Sequence, residues 1–276
     1  MRTAIISDIH SNLEALEATL QDIAARNVGC ILCLGDIVGY NANPMECIQM
    51  LRERDILCVA GNHDRAVAGQ ITTEGFGYTA ARAVAWTRRH LDTDALAYLS
   101  ALPTDLTISK ALVAVHGALH PVTGRESVRL DTEERRRLSL NALSTHTSGA
   151  RICAFGHTHR LGIYELRGDV VRELTGDRVF LREDGWYLVN PGTIGQPRSS
   201  DRRATYMIFD AAKSELTTHR IVYDTMPPFR KSRKAGLVPI WATFPQPVVN
   251  AMMRLPTPVR TSLRRGLEFL KLGPSC

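Results

Sequence analysis

The 276 residues carry a formal net charge of +6, with 44% hydrophobic and 22% charged residues. A chain of this length buries a core of its own, without the disulfides or structural metal on which short chains depend. No apolar run approaches the ~20 residues that cross a bilayer. The opening Met1-Arg2-Thr3-Ala4-Ile5-Ile6-Ser7-Asp8 passes directly into a strand pattern without a secretory leader, so a cytoplasmic protein is expected.

Residues 3–7 read as a strand, and Ser11-Asn12-Leu13-Glu14 has the Ser-x-x-Glu spacing of a capping box ahead of Leu16, Leu20 and Ile23 at helical spacing. Residues 30–34 form a second strand and 44–54 a helix; 56–60 form a third strand, followed at once by Gly61-Asn62-His63-Asp64. This alternation of strand, loop and helix predicts an α/β fold, in which ligands gather beyond the carboxyl ends of the strands. Residues 73–99 read as helical, 106–109 and 112–115 as paired strands ending at His116, 132–146 as a helix, and 151–155 as a strand ending in Gly156-His157-Thr158-His159. From 162 to 222 six short strands between turn signals predict a second, largely antiparallel sheet.

After Val222 the chain is rich in proline, which breaks regular structure into short pieces. From Thr225 onward nine basic residues face one acid, Glu268, so this tail holds +8 and the remainder of the chain −2. The expected division is therefore a catalytic domain over 1–224 and a basic extension over 225–276. Within the extension Val259, Leu263, Leu267 and Leu270 share one helical face beside Arg260, Arg264 and Lys271. Such a helix docks on its own domain or on a second subunit of a homo-oligomer, or it binds an anionic membrane surface or nucleic acid. Cys30 and Cys33 have C-x-x-C spacing. In a strand, however, residues three apart point to opposite faces, so buried, reduced thiols are expected rather than a redox or zinc pair.

Asp8, His10, Asp36, Asn62, His63, His116, His157 and His159 all fall just past strand ends in small-residue loops. Carboxylate, imidazole and amide oxygen together suit a transition metal better than an all-oxygen calcium or magnesium site. The order Asp-x-His, Gly-Asp, Gly-Asn-His-Asp, His-Gly, Gly-His-Thr-His resembles the calcineurin-like metallophosphoesterases from residue 3 to about 222. The forms Asp8-Ile9-His10-Ser11-Asn12, Gly35-Asp36-Ile37-Val38-Gly39-Tyr40 and Asn190-Pro191-Gly192-Thr193-Ile194-Gly195-Gln196-Pro197-Arg198 resemble the small prokaryotic branch of YfcE-type and diadenosine-tetraphosphatase-like members.

The resemblance implies a four-layer αββα sandwich with two mixed β-sheets flanked by helices. It implies two divalent transition-metal ions, manganese first, with iron, zinc, cobalt or nickel as the others the donors accept. Asp8, His10 and His159 would hold one ion, Asn62, His116 and His157 the other, and Asp36 would bridge them. The expected activity is hydrolysis of a small phosphomonoester or phosphodiester, such as a nucleotide, by a metal-activated hydroxide. His63 would stabilise phosphoryl charge or protonate the leaving group, and Asp64 would orient its ring. Asn12, Tyr40 and Arg198 are the expected substrate contacts, with Gln196 a weaker one. Two other readings compete: a catalytically silent scaffold on the same fold, which intact His10, Asn62, His63 and His116 argue against, and a nuclease, which the slightly acidic main domain argues against. Where relatives carry an acid after the His-Gly step, this chain has His120, which reaches the substrate or, the favoured reading, caps a loop.

Overall fold

The computed structural model describes residues 1–108 and 110–238, and beyond them 248, 251, 252, 254–256, 258, 259, 262 and 263. Strand β1 (Arg2–Ile6) sits inside the first sheet and alternates between two cores. Ala4 and Ile6 face the helices, while Ile5 faces the opposite sheet. Helix α1 (Leu13–Ala24) then lays Leu16, Leu20 and Ile23 on that first face. Its cap is Asn12 rather than Ser11: the Asn12 side chain accepts from the Ala15 backbone, and Ser11 has a left-handed φ of 56° outside the helix.

Strand β2 (Cys30–Cys33), helix α2 (Pro44–Glu53) and the two-residue strand β3 (Leu57–Cys58) complete the parallel part of this sheet. A short helix α3 (Asn62–Ala68) follows. The single helical stretch expected over 73–99 is two helices, α4 (Tyr78–His90) and α5 (Thr93–Ala101). They part at Asp92, whose carboxylate caps α5 through the Ala95 N–H at 2.8 Å.

Strands β4 (Asp105–Ile108), β5 (Leu112–Val115) and β6 (Ile152–Ala154) belong to a second sheet, and helix α6 (Glu133–Ser144) lies between β5 and β6 in sequence. Strands β7 (Leu161–Arg167), β8 (Val170–Leu174) and β10 (Trp186–Pro191) join it, giving the order β4-β5-β6-β10-β7-β8. Strands β9 (Arg178–Phe180), β11 (Ala204–Asp210) and β12 (Glu215–Ile221) return to the first sheet, giving β3-β2-β1-β11-β12-β9. The second half is therefore not one antiparallel sheet of its own. Its strands are shared between two mixed sheets, because β11 pairs antiparallel to β1 while β10 pairs parallel to β6.

Three apolar clusters define four layers. Leu16, Leu51, Cys58 and Leu99 pack helices on the first sheet; Ile5, Leu34, Ile152, Val189 and Met207 pack sheet on sheet; Leu140, Leu143 and Phe155 pack α6 on the second. Cys33, Cys47, Cys58 and Cys153 are buried free thiols in these layers, and Cys30 is half-buried. Among the described residues no helix is long and apolar enough to cross a membrane.

The start of the proline-rich tail is ordered as helix α7 (Met226–Lys234). Pro227 and Pro228 occupy its first turn, where the missing N–H has no helical partner to lose. Helix α7 packs on α1 through a Lys231–Glu14 ion pair at 2.7 Å, and Ser232 donates to the Asn41 side chain. The amphipathic helix expected around 259–271 lies for the most part outside the described residues, Val259 and Leu263 excepted.

Candidate metal centre

Five strand ends meet at one edge of the two sheets. β1 runs into Asp8 and His10, β2 into Asp36, β3 into Asn62, β5 into His116, and β6 into His157 and His159. Asp8, His10, Asp36 and His159 each offer a donor atom within 4.8 Å of the others, and so do Asp36, His116 and His157. Asp36 is common to both groups. The Asn62 carbonyl oxygen lies 3.1 Å from His116 Nε2, which adds it to the second group. All seven residues expected as ligands are thus brought together.

The rings are turned with one nitrogen outward. His10 Nδ1 donates to the Val38 carbonyl at 3.1 Å, His116 Nδ1 to Leu34 at 2.7 Å and His159 Nδ1 to Gln196 at 2.7 Å. In a neutral ring this leaves Nε2 as a lone pair. Those lone pairs converge on other acceptors. His10 Nε2 is 3.1 Å from His159 Nε2, His159 Nε2 is 3.2 Å from Asp8 Oδ1, and His116 Nε2 is 3.3 Å from Asp36 Oδ2. Asp8 Oδ1 is buried without a hydrogen-bond donor. Acceptors facing acceptors in a dry site are satisfied by cations between them, so the residues present fit two metal ions.

The proton affinities express the same conflict. Burial pushes Asp8 up to about 7, with the Asp36 charge adding to it and His116 opposing. Burial lowers His116, but Asp36 outweighs it and brings that ring up to about 9. Burial raises Asp36 too, yet His116 and His63 facing it hold it well below the ordinary carboxylate range. His10 and His157 are held well below the ordinary imidazole range by burial. His159 falls to about 3 through burial and the nearby Arg198 charge.

His157 and His159 do not continue the extended backbone of the strand before them. They are instead left-handed, with φ of 63° and 58°, as are Asp8 at 54°, His10 at 49° and Asp36 at 53°. Non-glycine residues take this conformation at a cost of roughly 1–2 kcal/mol each. Its concentration at the converging donors means the surrounding contacts hold them there.

Most of those contacts come from residues to which the sequence assigned no role at the metal centre. Ser7 Oγ donates to Asp8 Oδ2 at 2.7 Å. Asn190 donates to Gly156 O at 2.9 Å and to Thr158 Oγ1 at 3.1 Å, bracing the loop that carries both late histidines. Thr193 Oγ1 donates to the Asp8 carbonyl at 2.8 Å. The His63 N–H donates to Asp36 Oδ1 at 2.8 Å, and a side chain at Gly61 would collide with that same oxygen. The Asn190-to-Arg198 motif was visible, but its bracing role needed the spatial neighbours.

His63 lies outside both groups of converging donors. Asp64 does not orient it. The Asp64 carboxylate accepts from the Val38 N–H at 3.1 Å and the Gly61 N–H at 2.9 Å, while His63 Nδ1 is buried without a partner. The ring is positioned by packing, with Tyr40, His10 and Phe76 centroids at 4.8, 4.8 and 5.1 Å. Gly39, at φ 96°, passes so close to His63 Nδ1 that no Cβ would fit. Burial lowers the His63 pKa.

Among the expected substrate contacts, Arg198 is exposed, and its Nη2 lies 3.2 Å from His159 Nε2. Tyr40 sits edge-on to His10 at 4.7 Å. Asn12 is buried and fully committed, accepting from Ala15 and donating to the Gly195 carbonyl and the Tyr223 hydroxyl. The backbone of Gln196 serves His159. His120 Nδ1 lies 3.1 Å from Ser139 Oγ on α6.

A fold of this kind with this ligand set defines a calcineurin-like phosphoesterase, and the chain belongs to that superfamily: the domain model of the calcineurin-like phosphoesterase superfamily matches residues 1–214. An uncharacterized protein of Methanocaldococcus jannaschii is 35% identical over 242 residues, covering 86% of this chain and 94% of that protein. The crystal structure of a metallophosphoesterase from Sphaerobacter thermophilus is 33% identical with a TM-score of 0.69, covering 91% of this chain and 97% of that one. A hypothetical protein of Pyrococcus horikoshii OT3 has the same TM-score of 0.69 at 16% identity, covering 90% of this chain and 96% of its own, which is a likeness of fold alone.

Proposed function

We propose that the chain hydrolyses phosphomonoester or phosphodiester bonds at a dinuclear metal centre, manganese being the first candidate ion. The observation that carries this reading is the position of Asp36, whose carboxylate belongs to both groups of converging donors. Asp8, His10 and His159 would hold one ion, Asn62, His116 and His157 the other, and Asp36 both. Two such ions supply Lewis acidity toward phosphoryl oxygens and a water acidic enough to ionise near neutral pH.

The chain's own groups do the rest. The carbonyls of Val38, Leu34 and Gln196 fix the tautomers of His10, His116 and His159, and Ser7 fixes the Asp8 carboxylate. His63, its pKa lowered by burial, is neutral near pH 7. It donates an N–H to a phosphoryl or leaving oxygen. Arg198, exposed at the rim, takes a non-bridging oxygen in a charge-assisted bond. The 225–276 segment is an extension of a 1–224 catalytic domain in this reading, and the protein is cytoplasmic.

The test is Asp36→Asn. It is expected to abolish Mn²⁺-dependent hydrolysis of bis-p-nitrophenyl phosphate by the full chain, and retained turnover would overturn the bridging role.

A further inference from the structure

The chain beyond β12 returns to the loops that carry Asp8 and His10, and it touches them at two asparagines. The Tyr223 hydroxyl accepts from Asn12 Nδ2 at 3.2 Å, and Ser232 Oγ, buried on helix α7, donates to Asn41 Oδ1 at 3.2 Å. Both asparagines also donate to the Gly195 carbonyl, Asn12 at 3.0 Å and Asn41 at 3.5 Å. The Gly195 N–H in turn donates to the Asp8 carbonyl at 3.0 Å.

Asn41 also reaches a donor residue directly. Its Nδ2 lies 2.9 Å from the His10 carbonyl, and its backbone N–H lies 3.2 Å from the same oxygen. These neighbours fix which way the amide faces. Two carbonyls are met only by its NH2 end, so its oxygen end is turned toward α7, where the Ser232 hydroxyl supplies a proton. The left-handed backbone of His10, at φ 49°, therefore rests on a side chain whose orientation α7 secures. The packing leaves little slack: a Cβ at Gly195 would collide with the carbonyl of Ile9, which lies between the two donor residues. Among the described residues, no hydrogen bond joins the 223–234 segment, or the two asparagines it touches, to Asn62, His116 or His157.

We propose that Asn41 is a positioning residue for the metal site of Asp8, His10 and His159, and that helix α7 acts on that site through it. The extension after β12 then governs the affinity of one ion and not of the other. This rests on the dinuclear reading, and it gives a role to a residue and a helix that no motif in the sequence marks.

The test is a calorimetric titration of the full-length protein with Mn²⁺, in which the native chain is expected to bind two ions. In Asn41→Ala one ion is expected to bind about tenfold more weakly or worse, the scale on which lost support of a metal-binding residue is felt, and the other to stay within about twofold. In a His159→Ala background, which removes the first ion, Asn41→Ala is expected to leave the remaining ion unchanged. Ser232→Ala is expected to weaken the same ion as Asn41→Ala by a smaller factor. The Asn41→Ala/Ser232→Ala double variant is expected to match Asn41→Ala alone, because a hydroxyl that acts through the amide has nothing left to act on. Both ions weakened alike, neither weakened, an effect that persists in the His159→Ala background, or losses that multiply in the double variant overturn the proposal. Should Asn41→Ala fail to fold, Ser232→Ala decides alone, by weakening one ion or none. A native chain that takes up fewer than two ions sinks the dinuclear reading itself. Two ions bound equally well by the native chain and by the variants overturn the positioning role alone.

Discussion

His10 Nε2 and His159 Nε2 face each other at 3.1 Å, although 149 residues separate them in the chain and each ring has given its proton-bearing nitrogen to a backbone carbonyl. Two lone pairs at that distance repel in a buried site. A cation between them converts the repulsion into two ligand bonds. Metal loading is therefore expected to stabilise the fold strongly. At Mn²⁺ of 100 times Kd the gain is about 2.7 kcal/mol, or roughly 5–10 °C in Tm for a chain of this size. A thermal melt with and without chelator checks it; an unchanged Tm would sink the metal assignment.

Metal affinity is expected to rise with pH between 6 and 9. Without metal, His116 stands at about 9 and Asp8 at about 7, and both give up their protons to become ligands. Below pH 7 the binding competes with both protons, between 7 and 9 with that of His116 alone, and above 9 with neither. His10, His157 and His159 lie below the ordinary range and are already neutral, so they add no term. Each proton displaced makes affinity grow about tenfold per pH unit. Calorimetry at pH 7.5 in buffers of differing ionisation heat is expected to report proton release on binding; zero release contradicts the prediction.

His63→Ala is expected to keep both metals by elemental analysis and to lose roughly 10²–10⁴-fold in rate. If the metals leave with the ring, His63 is a ligand. Gly39→Ala is expected to give a similar loss with metals retained, since a methyl there meets the His63 ring and φ is 96°. Phe76→Ala, which removes one wall of the ring cage, is expected to cost less.

The left-handed ligands predict an inversion of the usual order of glycine and alanine. At His159, with φ of 58°, the glycine variant of the metal-free chain is expected to be more stable than the alanine variant by about 1 kcal/mol. Paired denaturant titrations measure the difference, and a more stable alanine variant would show that the backbone relaxes once the ring is gone.

The candidate donors were legible because strand-end loops with Asp, Asn and His at fixed spacing are rare outside metal sites. Their supports were not. Ser7, Asn190 and Thr193 are common residues whose partners are distant or trivial in sequence, as the Thr193–Asp8 separation of 185 residues illustrates. Asp64 read as a partner for His63 because they are adjacent, whereas its position in the first turn of α3 turns it back to the Gly61 and Val38 N–H groups. The strands were visible but not their sheets: a run such as 204–210 looks the same whether it pairs with β1 or with its sequence neighbours. Helix α7 was obscured by two prolines that a first turn accepts.

The loop at 190–196 has a consequence for synthesis. All seven candidate donors have been made by residue 159. The groups that fix three of them arrive later: the Thr193 hydroxyl and the Gly195 N–H reach the Asp8 carbonyl, Gln196 O receives His159 Nδ1, and the Asn190 amide ties down the loop bearing His157 and His159. A nascent chain leaving the ribosome thus carries every donor atom some thirty residues before it has the parts that set their geometry. The donors form a shaped site only once β10 and its following loop have closed over it.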